Sequence, residues 1–91
     1  MANIIQIQEK IRQFIIKTSY VSGDDVKNET LIFAQGIMDS MGFISIIGFI
    51  EDEFAFTTAD NELLEANFES INAIANFVYR KISVKENQTA E

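Results

Sequence analysis

The chain lacks the residues on which most active sites depend. Its 91 residues include no histidine, no cysteine, no proline and no tryptophan. A catalytic serine needs a base for its hydroxyl proton, and histidine is the usual one. Histidine and cysteine are also the usual transition-metal ligands, and without cysteine no disulfide can form. We therefore expect no catalytic residue, no metal site and no enzyme, but a protein stabilised by packing in a reducing compartment, the cytoplasm.

The middle of the chain has no positive charge. All seven Lys and Arg lie at or before Lys27 or at or after Arg80, whereas nine Asp and Glu lie between them. Phosphate backbones are bound by Lys and Arg that displace counterions, so we expect no nucleic-acid partner. A net charge of −7 either attracts basic patches on partner proteins or only keeps a small protein soluble.

Long apolar runs are also missing. The longest, residues 41–50, contains Ser45 and is far shorter than the ~20 residues that span a bilayer. No basic stretch followed by an apolar one resembles a secretory signal, and we expect no membrane insertion. The length suits one small domain. We place that domain at residues 1–82, followed by a polar, frayed tail at residues 83–91, and we expect a monomer.

What is present is helical periodicity, with no alternation typical of a strand. The first helix is capped by Asn3, the second runs from about Ser40 to Phe54, a short turn lies around Glu62 to Glu65, and the last helix starts near Ser70. One side of the first and last helices is apolar. The residues concerned are Ile4, Ile7, Ile11, Phe14 and Ile15, then Ile71, Ile74, Ala75, Val78 and Ile82. The pattern predicts an all-α four-helix bundle of three longer helices and one short one. Its long first loop is pinned to the core by Leu31, Ile32 and Phe33.

The second helix has apolar residues on two sides. The core side holds Phe43, Ile46, Ile47, Ile50 and Phe54. The opposite side holds Ser45 and five candidate partner-binding residues, called here the outward face: Met41, Ile44, Gly48, Phe49 and Asp52. Apolar residues grouped on one exposed face are typical of a docking surface for a partner. The alternative is that the first loop covers Ile44 and Phe49 and packs closely on Gly48.

Ser40 stands between Asp39 and the second helix, and two roles fit that position. Most serines in front of a helix act as its N-cap, accepting a hydrogen bond from an amide two or three residues on. The second role is that of a handle for a group attached by another enzyme. A phosphodiester at Ser40 would lie at a helix N-terminus, near free amides and the positive end of the dipole.

The residues around Ser40 resemble a known family. Asp39-Ser40-Met41, followed by a mostly apolar helix that ends in Glu51-Asp52-Glu53-Phe54, is similar to the 4'-phosphopantetheine attachment site of acyl and peptidyl carrier proteins. Leu31, Phe33 and Gly36-Ile37 resemble the segment that these proteins place before the Asp-Ser pair. The stretch from Asn67 to Ile71 resembles discrete carriers that work with adenylate-forming ligases.

The resemblance implies a cofactor and a set of partners. A phosphopantetheinyl transferase would attach 4'-phosphopantetheine to Ser40, with Asp39 engaging the transferase and its metal ion and Gly42 leaving room beside the arm. The thiol of the arm would carry an acyl or aminoacyl group as a thioester. An adenylate-forming acyl or amino-acid ligase would load it, and downstream acyl-processing enzymes would use it. Met41, Ile44 and Asp52 match helix positions that these carriers present to partners.

One departure from the family points to a specialised pathway. Many fatty-acid carriers have acidic residues early in the second helix, where this chain has Gly42 and Ser45. Asp-Ser-Met-Gly is similar to D-alanyl carrier proteins. We therefore expect a dedicated carrier more than a housekeeping fatty-acid carrier. The alternative from another class is an unmodified acidic helical module, an inhibitor or nucleic-acid mimic, that binds a basic protein.

Overall fold

The computed structural model describes residues 3–19 and 26–89. Its helices are α1 (Ile4–Thr18), α2 (Ser40–Phe54), α3 (Glu65–Phe68) and α4 (Ile71–Thr89), with a 3-10 turn at Asp60–Glu62. No strand occurs within these two described ranges. The prediction of an all-α bundle with three longer helices, one short one and a long first loop is confirmed.

Helix α1 begins where the sequence predicts and buries the predicted stripe. The Asn3 side chain accepts a hydrogen bond from the Gln6 amide at 2.9 Å, and the Gln6 side chain accepts one from the Asn3 amide. This reciprocal pair satisfies two amides that the first turn leaves without helical partners. Ile7, Ile11 and Ile15 then follow at helical spacing and are fully or almost fully buried.

Helices α1 and α2 lie side by side and run in opposite directions. In the middle of α1, Lys10 pairs with Glu53, near the end of α2, at 2.8 Å. One turn later, the rings of Phe14 and Phe49 stack with their centroids 4.3 Å apart. The end of α1 therefore comes close to the beginning of α2, where Ser40 lies.

The described part of the first loop is fixed by buried apolar side chains and by hydrogen bonds. Val26, Ile32 and Met38 are buried, whereas Leu31 is 42% exposed and does not pin the loop as predicted. Arg12 of α1 donates to the Val26 carbonyl and to the Asn28 side chain. The Asn28 carbonyl in turn accepts from the first turn of α4, and the Ile32 amide donates to Glu69. Since these hydrogen bonds hold residues 26–32 and the buried Met38 side chain holds the other end, residues 26–38 are positioned without regular structure.

Two helix positions differ from the prediction. The short helix lies at Glu65–Phe68, after the 3-10 turn, and not around Glu62 to Glu65. Phe68 explains the shift, because its fully buried ring anchors the helix one turn later. Helix α4 continues to Thr89. Residues 83–89 contain no glycine or proline, so nothing in their backbone stops the helix where the sequence predicted a frayed tail. Residues 90 and 91 lie outside the described residues, and the division at residue 82 stays a prediction.

A series of five phenylalanine rings runs through the core. Each ring contacts the next in the series. The centroid distances are 5.8 Å between Phe33 and Phe43, 5.3 Å between Phe43 and Phe68, 5.2 Å between Phe68 and Phe77, and 6.0 Å between Phe77 and Phe56. Such edge-to-face and tilted arrangements are favourable beyond the area they bury. The series connects the loop before α2, the core face of α2, α3 and α4. Among the described helices, none is both long and apolar enough to cross a bilayer.

Candidate functional site

Asp39, and not Ser40, caps helix α2. The Asp39 side chain accepts a hydrogen bond from the Gly42 amide at 2.9 Å, and its carbonyl accepts one from the Phe43 amide. Ser40 is the first residue of the helix. The capping role that suits most serines in this position is therefore wrong for Ser40. Ser40 is exposed, and its hydroxyl makes no hydrogen bond to any residue in the described ranges.

The start of α2 is suited to a negative charge attached at Ser40. The amides of Ser40 and Met41 have no hydrogen-bond partner among the described residues, since the cap satisfies only those of Gly42 and Phe43. Free amides and the positive end of the helix dipole stabilise anions there. A phosphate ester on the Ser40 oxygen would lie next to both, so the residues present fit a phosphodiester-linked group.

The other serines that the structure describes have structural roles or lie elsewhere. Ser19 donates to the Ile15 carbonyl at 2.6 Å, and Ser45 donates to the Met41 carbonyl at 3.0 Å. Ser70 is buried and accepts from the Ala73 amide at 3.1 Å. Ser83 is half-buried within α4. Among these hydroxyls, that of Ser40 is the one left exposed and without a partner at a helix start.

A pocket of about 620 Å³ opens beside Ser40 between the first loop, α2 and α3. We call it the Ser40 pocket, and its lining residues are Phe33, Gly36, Met38, Asp39, Ser40, Phe43, Glu65 and Phe68. Three of the five rings in the phenylalanine series contribute to it, and the exposed Glu65 contributes a carboxylate. The pocket is therefore mostly apolar, with acidic groups near its opening.

A smaller pocket of about 320 Å³ lies on the other side of Asp39. It is formed by the end of α1, the first loop and the first two turns of α2, with Thr18, Ser19 and Ser45 among its residues. Asp39 therefore borders both pockets, whereas Ser40 lines only the larger, more apolar one. A group attached to Ser40 would lie next to the Ser40 pocket.

Gly42 packs closely against Met38 of the first loop, a contact that the sequence did not reveal. A Cβ atom at this position would lie 2.7 Å from Cε and 3.2 Å from Cβ of Met38. Met38 is buried at the end of the first loop, so it has little freedom to move away. The predicted reason for Gly42 was room beside the arm at Ser40. The structure adds a different one, the contact between the first loop and α2.

The outward face of α2 is open except at Phe49. Met41 is 70% exposed and Ile44 is 62% exposed, so the first loop does not cover them. A Cβ at Gly48 would meet no atom within 4 Å, and Asp52 is exposed. Phe49 is half-buried because its ring stacks on Phe14 of α1. The role of all five residues in partner binding stays a prediction, and Phe49 lies at the edge of the face.

The three acidic residues at the end of α2 have three different environments. Glu51 accepts a hydrogen bond from the Thr58 amide at 2.7 Å, which holds the chain as it leaves the helix. Glu53 is paired with Lys10. Asp52 has no ion-pair partner in the described part of the chain and lies on the outward face. Of the three carboxylates, Asp52 is therefore the one free to interact with another protein.

Sequence reasoning missed a contact between α4 and the segment before α3. Glu62 accepts from Lys81 Nζ at 2.8 Å and from the Ala59 amide at 2.8 Å. The hydrogen bond from Lys81, and then the one from Ala59, lowers the pKa of Glu62 below its ordinary value. Sequence periodicity relates residues within one helix, and it gives no signal for a contact between residues of two different elements. The only available signal was that Arg80 and Lys81 are the first basic residues after Lys27.

Comparison with known families agrees with the geometry around Ser40. The family described as phosphopantetheine attachment site matches residues 9–78, which include most of α1, all of α2 and α3, and the beginning of α4. The chain belongs to this family. Its members carry a covalently attached 4'-phosphopantetheine on a serine, and the expected cofactor is thereby confirmed. No curated protein matches the chain.

Proposed function

We propose that the chain is a carrier protein whose 4'-phosphopantetheine is attached to Ser40. The observation that carries this proposal is the state of the Ser40 hydroxyl, exposed and without a described partner at the start of α2. It lies within the part of the chain that matches the family. The group supplies a thiol on which an acyl or aminoacyl cargo is held as a thioester. The chain is then a carrier and not itself an enzyme.

Three neighbouring residues support the attachment. Asp39 fixes the first turn of α2 through the Gly42 amide, so the Ser40 oxygen projects from a rigid position. Only one of its carboxylate oxygens has a hydrogen bond among the described residues, and the other is available to a transferase and its metal ion. Gly42 lets α2 pack against Met38 without displacing that turn. Met41, next to Ser40 and largely exposed, offers an apolar contact to the enzymes that act there.

The outward face of α2 is the proposed docking surface for these enzymes. Carrier proteins of this family interact with phosphopantetheinyl transferases and with acyl-processing enzymes. Met41 and Ile44 offer apolar contacts, Gly48 permits close approach, and Asp52 attracts a basic partner. Phe49 contributes only the edge of its ring. We place the protein in the cytoplasm, as a dedicated carrier loaded by an adenylate-forming ligase.

Intact-protein mass tests the attachment site. The protein is incubated with coenzyme A, Mg²⁺ and a promiscuous phosphopantetheinyl transferase, alongside Ser40→Ala and Ser45→Ala. We expect the parent and Ser45→Ala to gain one phosphopantetheine and Ser40→Ala to gain none. Because Asp39 provides the cap, Ser40→Ala is expected to change the free energy of unfolding by less than about 0.5 kcal/mol. Loss of modification in this variant is therefore not a folding defect.

The same experiment distinguishes the carrier from the acidic interaction module. No mass gain with several transferases would contradict the carrier function and favour the unmodified module that binds a basic protein. A gain that persists in Ser40→Ala would place the attachment at another serine. The pathway is tested separately, by offering the modified protein to a panel of adenylating ligases and to fatty-acid synthesis enzymes. Efficient elongation without ligase loading would contradict the specialised pathway.

A further inference from the structure

The segment between α2 and α3 is held in place from α4. Lys81 Nζ lies 2.8 Å from one Glu62 carboxylate oxygen and 3.2 Å from the other, and 5.9 Å from the centre of the Phe56 ring. The Glu62 carboxylate also accepts from the Ala59 amide. One lysine therefore contacts both ends of residues 56–62, a stretch with little regular structure.

Further hydrogen bonds connect this segment and α4 to α3. The Asn67 side-chain amide donates to the Glu62 carbonyl at 2.9 Å, and the Asn67 side-chain oxygen accepts from Arg80 at 3.4 Å. Helix α3 has only four residues, far fewer than a helix needs to be stable by itself. Its far end is anchored by the buried Phe68, and its near end depends on Glu62 and Asn67. The position of α3 is thus set partly by α4.

Helix α3 is also one wall of the Ser40 pocket. Glu65 and Phe68 line that pocket opposite Ser40 and Phe43 of α2. A movement of the near end of α3 away from α2 would widen the pocket at Glu65, while Phe68 stays anchored in the core. The contacts of Lys81 therefore restrain the wall of the pocket without lining it.

We propose that Lys81 is a positioning residue: through Glu62 it holds α3 against α2 and limits how far the Ser40 pocket opens to an apolar cargo. This inference rests on the proposed function for its meaning, since the cargo is the group carried at Ser40. Its structural part does not depend on that function, because the pocket and the ion pair belong to the unmodified chain. The two parts can be tested apart.

Hydrogen exchange of the unmodified protein tests the structural part. The variants are Lys81→Met, which removes the ion pair, and Lys81→Arg, which keeps it. Lys10→Met is the matched control, because it removes the Lys10–Glu53 pair of equal length on α1. We expect the amides of Leu63 and Asn67 to exchange about two- to fivefold faster in Lys81→Met. Lys81→Arg and Lys10→Met should leave these rates unchanged. Unchanged exchange in Lys81→Met, or equal acceleration in Lys10→Met, would overturn the proposal.

Thioester accessibility tests the cargo part. The parent and the Lys81 variants are loaded from acetyl-, hexanoyl- and decanoyl-coenzyme A by the transferase, and cleavage by hydroxylamine is followed by intact mass. An acetyl group is too short to fill the pocket and serves as the internal control. We expect Lys81→Met to accelerate cleavage of the longer acyl groups about two- to fivefold relative to acetyl, and Lys81→Arg to restore protection. Equal acceleration for all three groups would show that the pocket does not hold the cargo. Failure of the parent to load would instead contradict the function proposed for Ser40, while the exchange result would still decide whether Lys81 positions α3.

Discussion

Gly42 and Gly48 lie in the same helix, six residues apart, and the structure gives them opposite surroundings. A side chain at Gly42 would collide with Met38, whereas one at Gly48 would extend into open space. Glycine inside a helix costs ~1 kcal/mol relative to alanine. At Gly42 that cost is offset by close packing of the first loop. At Gly48 nothing in the described chain offsets it, which agrees with a surface kept open for another protein.

Alanine substitutions should therefore have opposite effects at these two positions. We expect Gly48→Ala to raise the free energy of unfolding by about 1 kcal/mol through helix propensity. Gly42→Ala should lower it by about 1–2 kcal/mol, because overpacking against Met38 outweighs the same propensity gain. Urea denaturation followed by circular dichroism measures both. A Gly42→Ala variant as stable as Gly48→Ala would show that Met38 moves aside and that Gly42 is not a packing requirement.

At the scale of the helices, the sequence was informative where one face is apolar and less informative elsewhere. The stripes of α1 and α4 predicted their buried residues, since burial follows directly from helical spacing. Asn3 marked the start of α1 for a similarly local reason. The position of α3 could not be read in this way. It depends on Phe68 reaching the core and on Glu62 reaching Lys81, and both are tertiary contacts.

At the candidate site, too, the sequence predicted some features and missed others. Ser40 was predicted as the attachment site from its neighbours in the sequence, because the residues before and after it form a local motif. That Asp39 caps the helix was not, since both residues are good caps and only their backbone geometry decides between them. The stacking of Phe49 on Phe14 was also missed. Spacing placed Phe49 on the outward face, and its packing against α1 is a tertiary contact that spacing within α2 does not reveal.

The ion pair between α4 and the segment before α3 should depend on pH in one direction. The pKa of Glu62 is lowered below its ordinary value of 4.5 by Lys81 and Ala59, with a smaller contribution from Arg80. A group whose pKa is lowered by folding stabilises the folded state above its ordinary pKa, and this contribution is lost as the pH falls through the lowered value. We expect Glu62→Gln to be less stable than the parent at about pH 7, and the difference to shrink below pH 4.5.

Urea denaturation of both proteins between neutral pH and about pH 3 measures this difference. Glu53→Gln is a useful comparison, because it removes the other close carboxylate–lysine pair at 2.8 Å. A difference between Glu62→Gln and the parent that stays constant down to the lowest pH would mean that the charge of Glu62 does not stabilise the fold.

For the whole molecule, the excess of negative charge is less available than the composition implies. Of the acidic residues between Lys27 and Arg80, Glu53 and Glu62 are paired with lysines, and Glu51 and Asp39 accept backbone amides. The charge that remains free on α2 is concentrated at Asp52, beside the exposed Ile44 and the open Gly48. On α2, attraction of a basic partner is therefore expected to be directed at the outward face.

Two substitutions that remove the same charge should then differ in their effect on association. Asp52→Asn is expected to slow association with the phosphopantetheinyl transferase about two- to threefold at low ionic strength. Glu53→Gln, its neighbour and control, should have little effect, because its carboxylate is already paired with Lys10. In stopped-flow measurements, the association rate constants of the two variants should converge as added salt screens the charges. Equal slowing by both variants would show that only net charge matters.

The assignment of the helix cap to Asp39 has a consequence for the maturation of the protein. Since the Ser40 hydroxyl has no partner among the described residues, attaching a group to it breaks none of the hydrogen bonds that hold α2. Under the proposed function, the newly synthesised chain can fold before Ser40 is modified, and folding does not have to wait for coenzyme A. Modification and folding are then separate steps in the life of the molecule. Under the proposed function, a reserve of folded, unmodified carrier can therefore exist, and the supply of coenzyme A and of the transferase sets how much of it becomes active.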